Sequence, residues 1–125
     1  MKKLAFLALF AIVFLGNAQT KSELQKHYEA YYKEMQQQAD MDGVINALTH
    51  LNVISPSKER KDTLAYVYSS TNRYMQALNT IGIDKNDADS DLAIQVKAVS
   101  LKAFNQPKRA LEQFEILYKR NPNPY

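Results

Sequence analysis

The stretch "TLAYVYSSTNRYMQALNTI", residues 63–81, decides how this chain folds, because "VKAVSLKAFNQPKRALEQF", residues 96–114, repeats its pattern 33 residues later. The offset aligns Ala65 with Ala98, Tyr68 with Leu101 and Asn72 with Asn105, then Ala77 with Ala110, Leu78 with Leu111 and Ile81 with Phe114. An earlier segment is a weaker echo, in which Ala47, Leu51 and Ile54 keep the spacing of Ala110, Phe114 and Leu117. Self-similarity at this period signals stacked helix pairs, each unable to bury its apolar face alone.

Outward from that stretch the pattern is helical. Apolar residues recur at three and four, and no strand alternation competes. Breaks rich in Gly, Pro, Asn, Asp and Ser divide residues beyond Thr20 into six segments: Ser22 to Gln38, Gly43 to Val53, Lys58 to Ser70, Arg73 to Ile81, Ser90 to Phe104 and Pro107 to Arg120. Pro107 suits a first helical turn, and Asp89 or Ser90 can cap the fifth helix. Short breaks make these segments three hairpins, approximately 22–53, 58–81 and 90–120. The expected fold is an all-α helical-hairpin solenoid. Ala77 and Ala110 let helices approach, and Ile81, Phe114 and Leu117 fill the space between them.

Residues 1–18 read differently. Lys2 and Lys3 precede an unbroken apolar run, Leu4 to Leu15, followed by Gly16 and Ala18. This is the pattern of a secretory signal peptide, and the run is too short for a spanning helix of roughly 20 apolar residues. Cleavage after Ala18 leaves residues 19–125 as one helical domain, exported to a bacterial periplasm or the exterior, with membrane contact only through the leader. No Cys follows the apolar run, and the chain has none at all, so the exported fold relies on packing without disulfides. Losing Lys2 and Lys3 brings the formal charge from +3 to +1. A balance so near neutral withdraws the compositional case for nucleic-acid binding.

Catalytic and metal motifs are tested and set aside. In the acidic segment 84–91, Asp87, Asp89 and Asp91 have alternate-residue spacing that can wrap calcium. Counted from Asp87, however, the turn glycine's place holds Leu92 and the closing glutamate's place holds Ala98. The favoured reading is a solvated loop whose carboxylates oppose the following helix dipole. Glu23 and His27 are spaced for a helix-surface ion pair, His50 stands apart, and Ser69, Ser70 and Thr71 suit a helix end. No cofactor is expected. Eight Tyr with no Trp are too many for one narrow stripe, so some are expected at a recognition surface.

The residues Leu64, Ala65, Tyr68, Asn72, Tyr74 and Ala77 in one hairpin, and Ala98, Leu101, Ala110, Phe114, Leu117 and Pro122 in the next, resemble tetratricopeptide repeats. Lys97 stands where the family pattern is usually apolar, and Asp89 where a proline often closes a repeat. The resemblance implies a right-handed superhelix whose first helices line a concave groove that binds a protein or peptide. In this sequence the groove face would carry Tyr32 and Gln36, then Asp62, Tyr66 and Ser69, then Gln95, Val99 and Lys102. The family's paired Lys and Asn clamp for a peptide carboxylate is not present in that set.

The final helix carries Phe114, Leu117 and Tyr118 with no following partner, where a solenoid normally places a polar cap. Three expectations follow: the sequence belongs to a longer repeat protein, the chain self-associates through this face, or the first hairpin folds back over it. The leading functional expectation is a non-catalytic scaffold. The alternatives are a small calcium-binding module using segment 84–91 and an accessory subunit or fragment of a larger assembly.

Overall fold

The computed structural model describes residues 2–122, with side chains from residue 20 onward. Six helices follow one another: α1 (Lys2–Gln37), α2 (Met41–Ile54), α3 (Lys58–Ser70), α4 (Tyr74–Ile81), α5 (Asp91–Ala103) and α6 (Pro107–Arg120). No strand occurs among the described residues, so the all-α expectation holds. The first helix differs from expectation in length, since its backbone continues through the proposed leader instead of starting at Ser22. The leader's side chains and residues 123–125 lie outside the described residues. Among those described, no helix is long and apolar enough to cross a membrane.

The period is written into the backbone. Helices α1, α3 and α5 end at Gln37, Ser70 and Ala103, and α2, α4 and α6 begin at Met41, Tyr74 and Pro107, each 33 residues apart. Between them Ala39, Asn72 and Asn105 take left-handed φ values of 55°, 64° and 57°. The next amide in each case donates back to the first helix: Asp40 to Met35 O at 2.9 Å, Arg73 to Tyr68 O at 2.7 Å and Gln106 to Leu101 O at 2.9 Å. This closure satisfies helix-end carbonyls and reverses the chain tightly. It also counts the first hairpin differently from the sequence reading. Val44 and Leu48, not Ala47 and Leu51, occupy the places of Ala110 and Phe114, because the turn at Ala39 sets the register.

Caps define the other helix ends. Asp40 accepts from Gly43 N, Ser57 Oγ from Arg60 N and Ser90 Oγ from Ala93 N, at 3.0 to 3.1 Å. Of the two candidate caps for α5, Ser90 takes the role and leaves Asp89 free for another. Gly82 stops α4 after eight residues with φ +82° and ψ 178°, a combination essentially confined to glycine. Gly43 is needed for a different reason: a β-carbon there would overlap the Met35 side chain where α1 meets α2.

Packing is local. Helices in contact are α1 with α2, α2 with α3, α3 with α4 and α5, α4 with α5, and α5 with α6. Met35, Val44, Leu48, Leu64 and Val67 form a first core cluster joining α1, α2 and α3. Ala65, Ala77 and Val96 form a second across α3, α4 and α5, with Ile81 against it. Leu78, Leu101 and Ala110 carry the core into α6. The buried alanines thus sit at helix crossings as expected. Phe114 is 39% exposed, which fits its place on an unpartnered last helix and not a role filling the space between helices, while its counterpart Leu48 is covered by α3. No later helix is described beside α6 to cover it.

Candidate binding surface

Four of the expected groove residues lie exposed on first helices that touch. Tyr66 projects from α3, and Gln95, Val99 and Lys102 from α5. Ser69 is half-buried at the end of α3. Asp62 is a correction. It is 7% exposed and accepts from Ser90 Oγ at 2.7 Å, so it ties α3 to the cap of α5. Tyr32 is half-buried against the first cluster and lines the cleft between α1 and α3, with its hydroxyl accepting from Gln36 Nε2 at 2.9 Å. Counting 33 back from Asp62, Tyr66 and Ser69 places Glu29, Lys33 and Gln36 on this face, so Gln36 keeps its place, and Tyr32 stands off that register beside Lys33.

The aromatic excess divides between roles. Tyr31, Tyr32 and Tyr68 pack against core clusters, and Tyr66 stands exposed. Tyr74 donates to Asn72 Oδ1 at 2.9 Å. Tyr28 stacks on His50 with centroids 4.4 Å apart, and His27 meets Tyr28 edge-on. No Glu23–His27 ion pair forms among the described residues, and the imidazole contacts the Tyr28 ring instead. Ser70 and Thr71 bond Val67 O, the helix-end role expected of them.

Segment 84–91 is tied down by cations. Lys97 Nζ donates to Asp84 O at 2.9 Å and Asp89 Oδ2 at 2.5 Å. Arg120 donates to Asp87 O at 2.6 Å, Asp89 O at 2.9 Å and Asp91 Oδ1 at 2.7 Å, and Lys58 donates to Ala88 O at 3.0 Å. The two departures from the family pattern therefore explain each other: Lys97 is the buried partner of Asp89. Of the carboxylates that could ligate calcium, Asp89 and Asp91 each have one oxygen engaged by these side chains. Among the described residues, no group of three His, Cys, Asp or Glu is placed to hold a metal ion.

No family model, curated protein or solved structure matches the chain. The site must be built from its own geometry. At the C-terminal side, Leu111, Phe114 and Tyr118 are exposed on α6, Tyr118 to 61%, and Leu117 is half-buried beside them. At the N-terminal side a cleft of 710 Å³ opens between α1 and α3. Its walls are Lys26, Glu29, Ala30, Tyr32 and Lys33 on one side and Ser57, Glu59, Arg60 and Thr63 on the other, with Leu48 and Leu51 beneath. Of its lining, the sequence reading names Tyr32 alone. The 33-residue offset carried into the first helix would have found Glu29 and Lys33, but nothing local marks Arg60 as a wall.

Proposed function

We propose that the protein is an exported, non-catalytic scaffold of three tetratricopeptide-like hairpins that binds a protein or peptide along the outer face of its first helices. The observation that carries this reading is the 33-residue recurrence of the turn, from Ala39 to Asn72 to Asn105. Equal turns give each hairpin the same local geometry, and equal hairpins stacked in sequence favour a curved surface made from their first helices. On that surface Tyr66, Val99 and Lys102 offer an exposed ring, an apolar contact and a charge. Such a mixture suits a partner with both apolar and polar groups.

The test is capture of partners from the exported fraction of the source cell, comparing wild type with a Tyr66→Ala, Gln95→Ala, Lys102→Ala variant. Loss of the same captured species supports the face. Capture unchanged by all three substitutions rules it out.

A second reading, assembly with another copy through α6, is favoured by the apolar exposure of Leu111, Phe114 and Tyr118. The calcium reading has less support, since Lys97 holds Asp89 Oδ2, Arg120 holds Asp91 Oδ1, and Lys58 and Arg120 take backbone oxygens of the loop. Calorimetric titration with calcium that produced heat would revive it.

A further inference from the structure

The junction between the second and third hairpins shows how one hairpin receives the next. There α5 lies on α3 and α4: Val96 packs with Ala65 and Ala77, and Ile81 lies against all three. Carried forward one period, Ala65, Ala77 and Ile81 become Ala98, Ala110 and Phe114, so α5 and α6 present the same seat with no helix described upon it. Its rim is apolar and exposed at Leu111, Phe114 and Tyr118. Carried back two periods, the α5 positions that enter such a seat fall on α1: Val96 on Ala30, Ala93 on His27 and Ser90 on Leu24. All three α1 residues are exposed, Leu24 to 42%. The molecule therefore carries both halves of one contact, open at opposite ends.

The same register pairs sizes and charges across the two open surfaces. Phe114 is larger than Ile81 and meets Ala30, which is smaller than Val96, so a gain on one side is matched by a loss on the other. Asp42 and Arg73 form the ion pair that joins the first two hairpins. In their places at the open junction stand Lys108 and Asp40, with the signs exchanged and still opposite. Lys58 donates to Ala88 O across the next junction. Its place is held by Asp91, and that of Ala88 by Ser22 beside Lys21. Asp91 has Oδ2 to offer there, since Arg120 takes Oδ1. Opposite charges at matched positions fix register more than they add affinity.

We propose that copies of this chain stack head to tail, with Leu24, His27 and Ala30 of α1 on one copy seated on the α5–α6 face of another, as α5 seats on α3 and α4. It rests on the reading of α6 as an assembly element and names the surface on the other copy that α6 meets. A symmetric contact between two α6 helices uses one of the open surfaces and leaves Leu24 uncovered. The contact proposed here joins unlike surfaces, so each addition leaves one free end of each kind and growth is open unless the rotation closes a ring.

Size exclusion with light scattering, together with circular dichroism, tests it on the purified protein and two variants. Phe114→Asp blocks the seat, and Ala30→Arg blocks the face that enters it; both positions are exposed. Wild type is expected to gain mass with concentration, and each variant to run as a helical monomer. An equimolar mixture of the two is expected to form a particle of twice the monomer mass, because it keeps one intact surface of each kind. Lys108→Glu in the wild type is expected to weaken association about threefold, the scale of one exposed ion pair. Self-association of Ala30→Arg equal to wild type, a mixture of helical monomers that stays monomeric, or a monomeric wild type overturns the proposal. The first result leaves assembly through α6 standing and the last removes it as well, so the two readings fail separately.

Discussion

Ala39, Asn72 and Asn105 do the same job at unequal cost. Left-handed φ brings the β-carbon close to the following carbonyl, a penalty of about 1–2 kcal/mol that Asn offsets with local hydrogen bonding and Gly avoids. Ala39, with φ 55°, has neither device. Ala39→Gly is therefore expected to stabilise the fold by about 1 kcal/mol, raising the thermal midpoint by several degrees, whereas Asn72→Ala should lower it. Differential scanning calorimetry of the pair checks both signs. Lys97 is the opposite kind of residue, a charge in the core with its side chain 4% exposed and its partner Asp89 11% exposed. Lys97→Ala leaves the Asp89 carboxylate buried without its cation, at an expected cost of about 3–5 kcal/mol. Urea denaturation measures it. A loss under 1 kcal/mol would mean that Asp89 finds water when Lys97 is removed.

At the scale of elements, α2, α4 and α6 hold equivalent places with different covers. Leu48 of α2 packs under α3, and Ile81 of α4 packs against the cluster containing Val96 of α5, but Phe114 of α6 is 39% exposed. Leaving such side chains wet forgoes about 1.5–3 kcal/mol each. A second copy covering this face would recover part of that. Light scattering coupled to size exclusion is expected to find a dimer or larger species, and Phe114→Asp is expected to return it to a helical monomer. If wild type and variant are both helical monomers, α6 is not an assembly element. The loop after α4 makes the complementary point. Gly82 ends α4 early, and the released segment is held by Lys97, Arg120 and Lys58 instead of by helical bonds.

The whole molecule is a series of neighbours. α1 and α2 make no contact with α5 or α6 among the described residues, so a defect in the third hairpin has no direct route to the first. Leu101→Ala removes a side chain that joins α4, α5 and α6, at an expected cost of about 2–5 kcal/mol. Amide hydrogen exchange should therefore quicken in α5 and α6 well before α1 and α2, as nearest-neighbour stability requires. Uniform loss of protection across all six helices would show a single cooperative unit instead.

The sequence by itself determined the six helices beyond Thr20, the turns and the 33-residue period. Those follow from apolar spacing, from Asn, Gly, Pro and Ser at the breaks, and from alanines at crossings, all of which act within a few residues. Of the candidate face, Tyr66, Gln95, Val99 and Lys102 were legible because the α3 and α5 registers can be aligned directly. Tyr32 lines the cleft but stands off the 33-residue register, and Asp62 was misplaced. The first helix lacks a strong echo of the repeat, and a carboxylate on a polar-looking face gives no sign that Ser90, 28 residues later, will bury it. Tertiary structure alone decided that Lys97 and Asp89 pair, that Arg120 reaches the loop before α5, and that Glu29 and Arg60 meet across the cleft between α1 and α3. Each of these depends on which side chains from separate helices meet, and local periodicity carries no record of the partner that a residue faces across a helix junction.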